Sequence, residues 1–227
     1  MVAILVVATI IVFLAIDYFV KRPGKQEAVR TMSESAKPRF AMPKGYFFGR
    51  GHTWIELLSD NLARVGLDDF AQKIIGRIDD VDFIAGDSEV AKGDKLFTVR
   101  QGEKTLSFRA PISGKVVSFN DELVSSPEVL RKKPYSDGWV AILEPANFDQ
   151  EAKSLSRGNE AAQWLREEIK RFRNFITVQE NTLLASPAKA GATLLDGGTP
   201  AEGVMEHSSK ETWQKFEADF LANGGSD

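Results

Sequence analysis

The chain has 227 residues with a formal net charge of −3, 43% hydrophobic and 27% charged residues, the balance of an ordinary folded protein. A net negative charge gives no electrostatic case for nucleic-acid binding. The sequence holds no cysteine, which excludes disulfides, thiolate metal sites and cysteine nucleophiles, and only two histidines, His52 and His207.

Residues 1–21 read as a transmembrane anchor. Val2 to Val20 is almost continuously apolar, and nineteen residues of helix rise about 28 Å, close to the hydrocarbon thickness of a bilayer. Lys21, Arg22, Lys25 and Arg30 follow at once, which predicts an outer N-terminus and a cytoplasmic main domain, at the inner membrane in a bacterium. Asp17, four residues from Lys21, reads as a solvated boundary residue. A cleaved signal peptide fits less well, since no basic residue precedes the span. Residues 22–45, rich in Lys, Glu, Ser and Pro, read as a flexible linker.

Between 46 and 150 the pattern becomes β-rich. Gly51 to Leu58 and Ala63 to Leu67 alternate as strands, and Asp68 or Asp69 caps a short helix that Gly76 ends. A strand over Asp79–Ile84 precedes turns at Gly86 and Gly93. The runs Leu96–Val99 and Thr105–Phe108 then flank a polar stretch with Gly102 at the turn, which predicts an exposed hairpin. Lys115–Phe119 follows as another strand. His52, with Trp54 two residues on along one strand face, reads as packed or hydrogen-bonded, and Trp139 as core.

Residues 151–176 form a strong helix candidate. Leu165, Ile169, Phe172 and Ile176 recur at helical spacing, and the charged residues, Glu168 and Arg171 among them, take the remaining faces. Residues 177–227 read as a flexible tail with a short amphipathic helix near 210–222. Trp213, Phe216 and Phe220 lie on one face of it, suited either to a partner's groove or to its own domain. The pattern leaves both open.

The order of motifs is specific. H-T-W from His52, A-R-V-G-L-D-D-F-A-Q-K-I-I-G from Ala63, K-G-D-K-L-F from Lys92, A-P-I-S-G-K-V from Ala110, N-D-E-L from Asn120 and P-Y-S-D-G-W-V from Pro134 together resemble the glycine cleavage system H-protein over about a hundred residues. The resemblance implies a mainly β hybrid barrel-sandwich with small helices, a lipoyl/biotinyl carrier type, and no catalytic groups of its own. It also implies a lipoyl-bearing lysine about eight residues before the proline of the A-P pair.

Counting back from Pro111 reaches Glu103, and Lys104 comes one position late. On a strand one residue of slip reverses the side chain. The expected function is therefore a membrane-tethered scaffold without a lipoyl arm and with no cofactor. The alternative is a carrier with lipoate on Lys104. Arg100, Glu103, Lys104 and Arg109 are expected to form a charged tip, with Arg100, Glu103, Arg109, Trp213, Phe216 and Phe220 as candidate protein-binding residues. Arg131, Lys132 and Lys133 form a basic loop suited to an acidic partner or anionic lipid. The expected partners are the membrane, through residues 2–20, and proteins that the sequence does not name.

Overall fold

The computed structural model describes residues 40–59, 61–86, 88–183, 195–196 and 199–222. The proposed anchor at 2–20 and most of the linker lie outside these residues, and among the described residues no helix is long and apolar enough to cross a membrane. The described domain begins at Phe40, inside the expected linker. Phe40 is buried and meets the ring of Phe70 edge-on, while Ala41 donates its N–H to Asp69 and accepts from the Tyr135 hydroxyl at 2.7 Å.

Nine strands build the two main sheets of the described residues. They are β1 (Tyr46–Phe48), β2 (Thr53–Leu57), β3 (Ala63–Leu67), β4 (Asp80–Phe83), β5 (Glu89–Val90), β6 (Lys95–Gln101), β7 (Lys104–Arg109), β8 (Gly114–Phe119) and β9 (Trp139–Pro145). Six form one antiparallel sheet in the order β1-β2-β3-β9-β8-β5, and three form a second in the order β4-β6-β7. One apolar core draws on both sheets, as β7 illustrates: Leu106 and Phe108 are fully buried while Thr105 is exposed. Phe97 and Phe108 face each other across the hairpin and stack with centroids 4.9 Å apart.

The sequence motifs have direct packing reasons. Trp54 is fully buried opposite Gly66, and its indole donates to the carbonyls of Leu67 and Pro134, both at 3.0 Å. A Cβ on Gly66 would lie 2.3 Å from the Trp54 ring, so the glycine of the A-R-V-G-L run makes room for the tryptophan of H-T-W. Helix α1 (Asp69–Ile75) is capped by Asp68, whose side chain accepts from Ala71, and ends at Gly76 as expected. Trp139 is only partly buried, at the margin of the core.

Short helices α2 (Glu122–Ser125) and α3 (Val129–Lys132) connect β8 to β9, and α4 (Phe148–Glu151) follows β9. The next helix departs from the expected bounds. Helix α5 runs Gly158–Leu183, 26 residues, where 151–176 was expected. Beyond it lie the paired strands β10 (Leu195–Asp196) and β11 (Thr199–Pro200), then α6 (Lys210–Phe216), which continues as a π-helical turn over Glu217–Leu221.

Candidate functional site: the hairpin apex and its cover

The β6–β7 hairpin turns in two residues. Gln101 pairs with Lys104, so Gly102 and Glu103 alone form the connection. Gly102 has φ 56°, a conformation glycine adopts without a Cβ penalty and one that suits the twist of a two-residue hairpin. The turn is braced from the segment that leads into β4, because the Asp79 carboxylate accepts the Gly102 N–H at 2.9 Å and Gln101 donates to the Arg77 carbonyl at 2.6 Å. Glu103 stands exposed at the apex.

Lys104 is the first residue of β7, on the same face as buried Leu106 and Phe108. Its side chain therefore turns inward. The ammonium donates to the carbonyl oxygens of Glu206 at 2.6 Å and Ser208 at 3.4 Å, and lies 4.7 Å from the centre of the Trp213 ring. Two carbonyls and an aromatic face are a coherent cation site, since they meet the ammonium's donors and its charge together.

The segment that supplies this site folds back onto its own domain. Gly203 and Met205 donate to the carbonyls of Lys73 and Ile74 at the end of α1, and Glu206 accepts the N–H of Arg77 at 2.7 Å. Ser209 caps α6 by accepting from Thr212. Trp213, Phe216 and Phe220 are buried to 2% exposure or less, and Phe216 and Phe220 pack edge-on against Phe172 of α5. Of the two alternatives that the sequence left open for these candidate partner-binding residues, the structure has the second, with all three covered by their own domain.

The charged tip is also smaller than expected. Arg109 lies at the far end of β7, about 17 Å along the strand from Lys104, and donates to the Gly93 carbonyl. Arg100 remains near the apex but is engaged by Asp80 at 2.9 Å. In the basic loop, Lys132 pairs with Glu128 and Lys133 with Asp137.

A second cluster was only half legible. His52 lies in the turn before β2 with φ 62°, not on the strand face with Trp54. It is fully buried, stacks on Phe70, and its two ring nitrogens meet Asp68 at 2.8 Å and Glu168 at 3.3 Å. Burial opposes a charge on this ring, but Asp68 and then Glu168 outweigh it, and its pKa is pushed up to about 9. Glu168 is the residue that the sequence reading missed. Its position three after Leu165 and four before Phe172 sets it on the apolar stripe of α5, and that spacing was the available signal. Arg171 extends the network, pairing with Glu168 at 3.1 Å and donating to the Asp219 carbonyl at 2.5 Å. Among the described residues no group of three or more acidic or histidine side chains is placed to hold a metal ion.

Comparison with known proteins agrees with the motif order. The family model for the glycine cleavage H-protein matches residues 46–168. A probable glycine cleavage system H protein of Thermococcus kodakarensis is 34% identical over 127 residues, 56% of this chain and 94% of that protein. The glycine cleavage system H protein of Coprothermobacter proteolyticus is 36% identical over 101 residues, 44% of this chain and 80% of that one. A crystal structure of a glycine cleavage system H protein from Mycobacterium marinum shows 23% identity and a TM-score of 0.49, covering 54% of this chain and 98% of the other. With its family match spanning both sheets and the start of α5, the chain belongs to the glycine cleavage H-protein family, whose members are lipoyl carriers and not themselves catalytic.

Proposed function

We propose that this chain is a membrane-tethered H-protein-like binding module on the cytoplasmic face that works without a lipoyl arm. One observation carries the reading: at the hairpin apex, where the family presents its lysine, Glu103 faces solvent, and Lys104 turns to the opposite face onto Glu206, Ser208 and Trp213. A glutamate cannot form the amide that attaches lipoate. The apolar stretch at 2–20 and the basic cluster after it support the tether and its orientation. The partners are proteins recognised through the domain surface, and the apex acids are part of that surface.

The test is a mass spectrum of the Lys104 peptide from protein isolated from its native membrane, in cells whose other lipoyl proteins are modified. The expected result is an unmodified lysine. A lipoyl adduct on Lys104 would overturn the reading and make this a tethered carrier. As a control on geometry, Glu103→Lys should accept lipoate from a lipoyl ligase at residue 103, because the turn already presents that position.

A further inference from the structure

The C-terminal cover lies outside the part of the chain that the family accounts for. The family match ends at residue 168, and 94% of the Thermococcus relative is already matched. Residues 200–222 are thus an addition to a fold that its relatives complete without them. Besides packing on α5, these residues reach the end of α1 and the strand β7 that begins with Lys104.

The fit is close. A Cβ on Gly76 would lie 2.6 Å from the Cα of Gly203, so the two backbones approach as only glycines allow. The Trp213 indole donates to the Met205 carbonyl at 2.8 Å, which fixes the ring face that Lys104 meets. Arg171 seats the far end of the segment, with its guanidinium 4.1 Å from the centre of the Phe220 ring. The addition thereby occupies the ammonium of the lysine nearest the apex.

We propose that residues 200–222 are an intramolecular latch that withholds the Lys104 amine from acylating chemistry, the class of activated acyl donors that modify lysine. The inference rests on the reading above and names its regulation. With the latch seated the hairpin is an unmodified docking surface, and with the latch displaced Lys104 becomes an accessible amine beside the apex. The ammonium has to lose a proton and leave both carbonyls before it can attack an acyl carbon, so the seated latch disfavours the reactive form twice.

The test uses the full chain and a limiting amount of N-hydroxysuccinimidyl acetate, with acetylation at each lysine followed by peptide mass spectrometry. Exposed Lys115 and Lys132 are the internal references. In the unaltered protein Lys104 is expected to react at least about tenfold more slowly than either, the ratio that a tenfold preference for the seated latch gives. Ser209→Ala, which removes the α6 cap, should raise the Lys104 rate about 2- to 8-fold and leave the references unchanged. Trp213→Ala should bring Lys104 level with Lys115. Should Trp213→Ala unfold the domain, seen as a lost near-ultraviolet dichroism signal, Ser209→Ala decides alone.

Lys104 reacting as fast as Lys115 in the unaltered chain would overturn the latch, as would rates that Ser209→Ala does not change. These outcomes are separate from the native modification state. A native lipoyl adduct refutes the scaffold reading, whereas fast labelling without an adduct refutes the latch and leaves the scaffold.

Discussion

The C-terminal part of this chain is fastened to the barrel through two cations that are held in opposite ways. His52 is sealed between two carboxylates with no exposure, and one of them, Glu168, comes from α5. Lys104 meets neutral carbonyls and a ring at the edge of the domain, on a segment that comes later still. A buried ionic clasp is costly to break, because removing one partner leaves a charge without compensation. Carbonyl and indole contacts made by a cation at an edge can be exchanged for water at modest cost. The first clasp therefore builds the fold, and the second is suited to opening.

The largest way to break this contrast is to remove the aromatic packing beneath the second clasp. Phe216→Ala should cost about 3–5 kcal/mol if the segment unfolds together with the domain. If the segment is a separable latch, the measured loss of global stability in urea will be much smaller, because the segment detaches first. A loss at the full value with a single transition would mean that the addition is an integral part of the core.

The His52 clasp predicts a specific pH dependence. Its folded pKa of about 9 lies above the ordinary 6.5, so the stabilisation is complete below pH 6.5 and is lost as pH rises through 9. That loss amounts to about 3 kcal/mol. Chemical denaturation at pH 6, 7, 8 and 9 should show it, and His52→Gln should flatten the profile in that window. An unchanged slope in His52→Gln would assign the dependence to another group.

Smaller effects sharpen the apex. Gly102→Ala meets no neighbouring atom, so its cost comes from the φ of 56° alone and should be about 1 kcal/mol. Arg100→Ala removes a half-exposed pair with Asp80 and should change stability by less than about 1 kcal/mol. A larger effect in thermal or urea unfolding would show that the apex is more tightly coupled to the core than its exposure implies.

Much of the β domain was legible because its signals are local. Alternation placed β2, β3, β6 and β7, the Asp68 and Gly76 caps bounded α1, and Gly102 marked the turn whose register separates Glu103 from Lys104. Order and spacing of motifs carried the family, since each residue in them answers a fixed packing demand, as Gly66 answers Trp54. What the sequence could not decide were the long-range encounters. Phe40 joins the domain against Phe70, and the buried Glu168 meets His52, 116 residues away in the chain. The amphipathic stripe of Trp213, Phe216 and Phe220 announced that it would be buried, but a stripe carries no address. Only the tertiary structure brought it to its own hairpin, where the Glu206 and Ser208 carbonyls meet a lysine more than a hundred residues earlier in the chain.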